Sequence, residues 1–249
     1  MMLGLALFTG LWYWFCRSAF GYTFHAVLCQ PVVMALPIGL IMGDVAKAMM
    51  IGAAIELVYL GMVAAGANIP ADEALAGVIA IPIAMQTGMT PEMAVVLAVP
   101  FGVLGVFLDQ IRRTVNAFFV HWADKHAEAC NIRGIWFCAL LYPMLLGFVL
   151  RFPPVFAANL YGSAVVESFI DKVPDWIMHG MSVAGGVLPA LGFAITIFII
   201  GKNKLIPFFI LGFFAVKYLQ INIMAAAIFG TCIALLMIFM RRDKEGETV

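Results

Sequence analysis

The stretch IGAAIELVYLGMVAAGANIPADEALAG, residues 51–77, decides how this sequence is interpreted. It begins as an apolar segment with one carboxylate, Glu56, in its middle. It then passes through a glycine- and alanine-rich part that ends at Pro70, and Asp72 opens the next apolar run. A carboxylate at the centre of a bilayer costs about 2.5–3.5 kcal/mol, so such residues normally face a cavity or a partner. The pattern predicts two membrane helices, with a break between them, that gather polar groups in one place.

The composition of the whole chain indicates a membrane protein. Of its 249 residues, 64% are hydrophobic and 11% are charged, whereas soluble domains are about 45–50% apolar and about 25% charged. The 14 basic residues balance the 14 acidic ones, so no net field attracts nucleic acid or another charged polymer. These values exclude the disordered, nucleic-acid-binding and ordinary soluble classes.

The charged residues lie in clusters separated by apolar runs. Residues without Asp, Glu, Lys or Arg are 1–16, 18–43, 74–91, 134–150, 176–201 and 218–240. A spanning helix needs roughly 20 apolar residues, and several of these runs are shorter or contain glycine and proline. The predicted fold class is therefore all-α, a polytopic membrane protein with spanning helices plus broken or re-entrant helices.

Three basic segments predict the orientation of the C-terminal half. Residues 111–133 place apolar side chains at helical spacing, which predicts an amphipathic helix at the membrane surface. Arg and Lys residues next to membrane segments are typical of the cytoplasmic side. They occur in three places, which are therefore predicted to be cytoplasmic: residues 111–133, Lys202 and the tail 241–249. Residues 151–175 are then expected as a connection on the outside, and 205–240 as two short helices.

The N-terminal half is expected to contain short capped helices. Asp44 and Asp72 each precede an apolar run, which predicts helices over 45–63 and 73–85. A further helix is expected over 92–108. The five cysteines and four histidines lack metal-ligand spacing, so neither a metal site nor a cofactor is predicted, and the sequence contains no P-loop.

The candidate substrate-binding residues belong to the break and its flanks. They are Glu56, Gly66, Ala67, Asn68, Asp72 and Glu73. Carboxylates, an amide and freed backbone groups suit a neutral polyol, because each sugar hydroxyl both donates and accepts hydrogen bonds. A carboxylate can also take the proton of a sugar hydroxyl that attacks a phosphoryl group. In a second interpretation, Asp72 only caps a helix and Glu73 only complements the helix dipole.

A series of short motifs follows in order along nearly the whole chain. They are Gly43-Asp44, Ile51-Gly52, Glu56, Leu60-Gly61, Gly66-Ala67, Asp72, Ala74-Leu75-Ala76, Ala123-Asp124-Lys125, Ala184-Gly185-Gly186, Pro207-Phe208 and Gly212-Phe213. This ordered set resembles the IIC subunit of mannose/fructose/sorbose-type sugar phosphotransferase systems. The sequence departs from the usual family pattern at Ala71, which separates Pro70 from Asp72 where Pro-Asp is more usual. This departure points to Asn68 and Glu73 as substrate-specific positions.

The resemblance implies a function and a set of partners. Such a IIC subunit forms the sugar channel with a membrane-embedded IID subunit, while cytoplasmic IIA and IIB phosphocarrier proteins relay phosphate from phosphoenolpyruvate. The chain is then expected to translocate a hexose or hexose derivative, with the phosphoryl donor residue on the separate IIB chain and no catalytic residue of its own.

The resemblance also implies an architecture and a location. It predicts a single membrane-embedded domain over residues 1–249 in the bacterial cytoplasmic (inner) membrane, with the C-terminus in the cytoplasm. It predicts a homo-oligomer of IIC–IID pairs in the lipid bilayer, and an elevator-type movement of a core against a scaffold.

Two other functions stay open at the level of sequence. In one, a proton-coupled secondary sugar transporter uses Glu56 or Asp72 as its proton site and delivers unmodified sugar. In the other, the chain is only a membrane scaffold or a docking surface for a bacteriocin. The chemical state of the sugar inside the cell distinguishes the first of these from a phosphotransferase permease.

Overall fold

Helices make up almost all of the described chain. The computed structural model describes residues 2–18, 22–60, 71–170, 174–201 and 205–246. The helices are α1 (Met2–Cys16), α2 (His25–Leu28), α3 (Pro31–Met42), α4 (Val45–Tyr59), α5 (Glu73–Thr87), α6 (Pro91–Glu128), α7 (Ile132–Trp136), α8 (Tyr142–Ile170), α9 (Asp175–Ile200), α10 (Ile206–Tyr218) and α11 (Ile223–Gly246). A 3₁₀ turn precedes α2, and a π-helical segment joins α7 to α8. Over these ranges no strand is present, which confirms the all-α prediction.

The chain forms two compact units, Met1–Ile197 and Phe198–Val249. In the second unit, α10 and α11 are separated near Gln220, which has a positive φ of 52°. Two helices are therefore present over 205–240, as expected. Helix α10 is short, with 13 residues, whereas α11 continues for 24 residues to Gly246. The single domain expected over residues 1–249 stays a prediction.

The first unit is built around α5. Every residue from Ala74 to Ala84 is buried, because this helix contacts α3, α4, α6 and α8 as well as α1. A helix that is apolar on all faces is stable only where other helices surround it. Asp72, which caps the start of α5, is thereby held deep within the unit. The end of α5 agrees with the predicted one to within two residues.

Three described helical segments are long and apolar enough to cross a membrane: Pro91–Glu128, Ile132–Val166 and Asp175–Ile195. Shorter apolar helices accompany them, among them Pro31–Met42 and Glu73–Thr87. At 1.5 Å per residue these shorter helices extend only about 18–23 Å, less than the hydrocarbon core of about 30 Å. The mixture agrees with the predicted combination of spanning and shorter helices.

Helix α6 differs from the expectation of two separate helices over 92–108 and 111–133. It continues without a break for 38 residues and ends at Glu128. Its central charges do not interrupt it, because Asp109 pairs with Arg112 and Arg113, three and four residues later on the same helix. The location of residues 111–128 at a membrane surface stays a prediction.

The expected outside connection over 151–175 is wrong for most of its length. Residues 151–170 belong to α8, which includes Pro153 and Pro154. Arg151 begins this part of the helix and is only 5% exposed. Its charge is compatible with burial because its guanidinium donates to the Arg17 carbonyl and lies beside the Asp109 carboxylate.

Close backbone contacts hold α3 between α4 and α5. A Cβ at Gly52 would lie 2.6 Å from the Ala35 Cβ and 3.0 Å from the Pro31 carbonyl oxygen. A Cβ at Gly77 would lie 3.1 Å from the Pro31 Cβ. Glycine is therefore the residue that lets the first turn of α3 reach both neighbouring helices.

We expect Gly52→Ala to lower the stability of the protein by about 1–3 kcal/mol, because the added methyl overpacks this contact. Thermal unfolding of the detergent-solubilised protein measures the change. Gly186→Ala is the matched control, since nothing lies within 4 Å of a Cβ at that helical position. Equal unfolding temperatures for the two variants would show that α3 does not depend on the close contact.

Candidate functional site

Two carboxylates lie beside the N-terminus of α3. Glu56 is one turn after Gly52 on α4, and Glu73 is one turn before Gly77 on α5, so each shares a helix face with a glycine that contacts Pro31. The Glu56 Oε2 accepts a hydrogen bond from the Val32 amide at 3.4 Å.

Both carboxylates are partly buried and close enough to interact. Glu73 lies within electrostatic range of Glu56, Arg17 and Asp72. The N-termini of α3 and α5 meet here, and the partial positive charge of a helix N-terminus stabilises nearby anions. The arrangement therefore places two carboxylates beside two helix N-termini, and carboxylates can accept hydrogen bonds from several hydroxyls at once.

Asp72 has a different environment, since its carboxylate is bonded to protein donors. It is 2% exposed, and its side chain accepts hydrogen bonds from the Tyr13 hydroxyl at 2.8 Å and the Arg17 Nη2 at 2.7 Å. It also caps α5 by accepting from the Leu75 amide at 3.1 Å. Asp72 thus ties α1 and the residue that follows it to the first turn of α5, next to Glu73.

Helix α6 approaches this first turn at two glycines. The Asp72 amide donates to the Gly102 carbonyl at 2.9 Å, and a Cβ at Gly105 would overlap the Asp72 side chain. The Tyr59 hydroxyl lies against Gly102. Tyr59 as a whole is only 6% exposed. Within the described part of the chain this hydroxyl has no hydrogen-bond partner, so α4 brings a second polar group, one turn after Glu56, to the same region.

A buried network continues from Asp72 toward α8. Arg151 donates from Nη1 to the Arg17 carbonyl at 2.9 Å, and its Nη2 lies 3.5 Å from the Asp109 Oδ1. Its guanidinium also lies over the Tyr13 ring, 5.9 Å from the centroid. Four helices, α1, α5, α6 and α8, are thereby connected through charged groups rather than through apolar packing alone.

Most members of this network carry no pattern in the sequence that marks them as a group. Arg17, Asp109 and Arg151 were absent from the predicted site, although ionisable residues within membrane segments are functional candidates by default. The spacing of Tyr13 and Arg17, four residues apart, was a usable signal, because residues at this spacing share a helix face. No sequence pattern indicated that Arg151 reaches Asp109, since the two lie on different helices.

The six residues predicted from the sequence divide into two groups. Glu56, Asp72 and Glu73 meet near the N-termini of α3 and α5, as described above. Gly66, Ala67 and Asn68 lie outside the described residues, so their part in the site stays a prediction.

Comparison with known proteins identifies the family. The model of the family described as the PTS system sorbose-specific IIC component matches residues 3–236 of this chain. The chain belongs to this family. The membership confirms the resemblance found in the motif series, and with it the role of a membrane translocation subunit of a sugar phosphotransferase system.

Individual relatives agree with the family. The sorbose-specific EIIC component of Klebsiella pneumoniae is 34% identical over 212 residues, 84% of this chain and 79% of that protein. The mannose-specific EIIC component of Escherichia coli K12 is 29% identical, over 87% of this chain and 80% of that protein. The fructose permease IIC component of Bacillus subtilis is 30% identical, over 83% and 77%.

Two solved structures are similar to the IIC chain. One, described only as a membrane protein, has a TM-score of 0.81 at 25% identity and covers 95% of this chain and 94% of that chain. The other is the mannose transporter ManYZ in complex with microcin E492, with a TM-score of 0.57, 25% identity and the same coverage. The helical membrane fold of the IIC chain therefore has solved counterparts.

We expect Asp72→Asn to lower stability by about 3–5 kcal/mol, because it leaves the buried Arg17 guanidinium without its carboxylate. The side chains of the pair are 8% and 3% exposed. Asp44→Asn is the matched control, since Asp44 also caps a helix, α4, but is exposed and the asparagine can still accept the Lys47 amide. Thermal unfolding in detergent measures both variants. Comparable losses would mean that Asp72 acts only as a cap.

Proposed function

We propose that a hexose or hexose derivative binds to this IIC subunit at the N-terminus of α3, between Glu56 and Glu73. The observation that carries the proposal is the position of Glu56, which is partly buried and accepts from the Val32 amide at 3.4 Å. Glu73 lies within its electrostatic range. Carboxylates hold sugar hydroxyls with charge-assisted hydrogen bonds, which are about twice as strong as neutral ones. The sugars in the names of these relatives, mannose, sorbose and fructose, are all hexoses.

In this proposal Asp72 is a positioning residue. Its carboxylate is bonded to Tyr13, Arg17 and Leu75, and it fixes the first turn of α5 so that Glu73 is held beside α3. The site is completed by three residues assigned from the sequence, Gly66, Ala67 and Asn68. Asn68 and Glu73 set the preference among hexoses.

The subunit is proposed to act within a larger assembly. A membrane-embedded IID subunit pairs with it, IIC–IID pairs form a homo-oligomer, and cytoplasmic IIA and IIB proteins bring the phosphoryl group. The phosphoryl donor residue lies on IIB, so the IIC chain orients the sugar. The location is the bacterial inner membrane, and Arg241, Arg242 and Lys244, which follow the last apolar run, support a cytoplasmic C-terminus.

Transport is proposed to follow an elevator-type movement. Helices α3, α4 and α5 are too short to cross the bilayer, whereas α6 is 38 residues long. Short helices that carry the binding groups can move as a core along longer helices that stay fixed in the membrane. The sugar is then released to IIB for phosphorylation as the site reaches the cytoplasm.

We expect Glu56→Gln to reduce uptake of a labelled hexose by about tenfold to a hundredfold, because the amide loses charge-assisted hydrogen bonds to the sugar. Uptake is measured in cells that also make the IID, IIA and IIB partners, with membrane levels of the IIC subunit determined in parallel. Glu92→Gln is the matched control, since Glu92 is exposed in the first turn of α6. Normal uptake by the Glu56 variant would place the sugar elsewhere.

The same cells test the chemistry. We expect the internal sugar to be phosphorylated, and to accumulate only when the partners are present. Accumulation of unmodified sugar by the IIC chain alone would contradict the assignment and would support a proton-coupled transporter.

A further inference from the structure

Two thiols and one imidazole meet where the chain passes from α1 to α3. The Cys29 Sγ lies 3.1 Å from the His25 Nδ1 and 3.9 Å from the carbonyl oxygen of Cys16. The same Nδ1 lies 2.8 Å from that carbonyl oxygen. The thiol groups of Cys16 and Cys29 also interact directly with each other. Two cysteines that are 13 positions apart in the sequence are thereby neighbours in the fold.

The neighbouring arginine indicates which nitrogen of the imidazole carries the proton. The Arg17 Nη1 lies 3.5 Å from the His25 Nε2. A guanidinium only donates hydrogen bonds, so Nε2 is the acceptor and the proton of the neutral ring is on Nδ1. This N–H faces both the Cys16 carbonyl oxygen and the Cys29 sulfur. It therefore acts as a hydrogen-bond donor to Cys29.

These neighbours make Cys29 the more reactive of the two thiols. A thiolate is the nucleophilic form of cysteine, and it is favoured by hydrogen-bond donors and by nearby arginine or histidine. Cys29 has the His25 N–H at 3.1 Å, and the Arg17 guanidinium lies within its electrostatic range. The Cys16 thiol instead donates to the Tyr13 carbonyl oxygen at 3.3 Å, within its own helix.

Burial restricts which reagents can reach the pair. Cys16 is fully buried and Cys29 is 2% exposed, whereas His25 beside them is partly exposed. A bulky reagent is excluded from such a site. Hydrogen peroxide is scarcely larger than water and can approach along the partly exposed imidazole.

We propose that Cys16 and Cys29 form an oxidation-sensitive thiol pair, which a hydroperoxide converts into a disulfide. Cys29 is the attacking thiol, Cys16 is the resolving thiol, and His25 stabilises the Cys29 thiolate by donating to it. The proposal is independent of the sugar site, because none of these side chains is assigned to it.

The chemistry takes place in two steps. The Cys29 thiolate attacks one oxygen of hydrogen peroxide, so that an S–O bond forms, the O–O bond breaks, and the other oxygen leaves as water after it takes up a proton. Cys29 is then a sulfenic acid. The Cys16 sulfur attacks the Cys29 sulfur, an S–S bond forms, the S–O bond breaks, and a second water leaves with the Cys16 proton. In sum, two thiols and one peroxide give one disulfide and two waters.

Oxidation of the purified full-length chain tests the proposal. The protein in detergent is treated with hydrogen peroxide, remaining thiols are alkylated after denaturation, and the digest is analysed by mass spectrometry. We expect a cross-linked peptide pair that contains Cys16 and Cys29, and dithiothreitol should return both to free thiols. This mapping uses the wild type, so it does not depend on whether a variant folds.

The variants assign the roles. Cys29→Ser should abolish the cross-link and leave Cys16 reduced. Cys138→Ser is the matched control, since Cys138 is also buried, at 3% exposure, and the cross-link should form in it as in the wild type. His25→Gln should slow disulfide formation about tenfold at neutral pH, because the thiolate loses a charge-assisted hydrogen bond. This difference should shrink above about pH 8.5, where an ordinary thiol ionises unaided.

Three results would overturn the proposal. Free thiols at both Cys16 and Cys29 after peroxide treatment would show that the pair does not react. A disulfide that instead joins either of them to another cysteine would show that they are not each other's partner. Equal rates for His25→Gln and the wild type at neutral pH would remove His25 from the mechanism. Glu56→Gln should form the disulfide normally, so failure of the sugar-site assignment and failure of this proposal are distinguishable.

Discussion

The buried ion pair between Arg17 and Asp72 is the interaction on which the first unit depends. Its atoms lie 2.7 Å apart and its side chains are almost inaccessible to solvent. Two charges in an apolar interior stabilise each other best when they pair closely and further hydrogen bonds hold the carboxylate. Asp72 meets this condition through the Tyr13 hydroxyl and the Leu75 amide, and the pair thereby fixes where α5 begins.

The position of α5 then determines both the candidate sugar site and the charged network beside it. Its first turn carries Glu73 to the N-terminus of α3, where Glu56 accepts from the Val32 amide. On the other side, Arg151 donates to the Arg17 carbonyl and extends the charged groups to Asp109 on α6. These contacts depend on one another, because a charge is stable in this interior only next to an opposite charge or a hydrogen-bonding dipole.

Much of the fold was predictable from local features. Asp44 and Asp72 were identified as caps because aspartate before an apolar run accepts a first-turn amide, and both do so. The continuity of α6 and the helical state of residues 151–170 were not predictable in this way. Charges in a sequence suggest exposure, whereas Asp109 and Arg151 lie beside each other inside the protein. Glu56 and Glu73 lie within electrostatic range of each other, and their part in sugar binding stays a proposal. Tyr59 carried no local signal.

The sequence alone determined the class of protein and its family, because apolar composition and an ordered motif series are properties of the chain itself. It also determined which residues open α4 and α5, since capping depends on residues only a few positions apart. Only the tertiary structure decided which charges are paired. The ion pair joins Arg17 and Asp72, which are 55 residues apart, and the Arg151 guanidinium donates to the Arg17 backbone carbonyl, 134 residues away. Such distant residues meet only after the helices pack, so no local pattern specifies them.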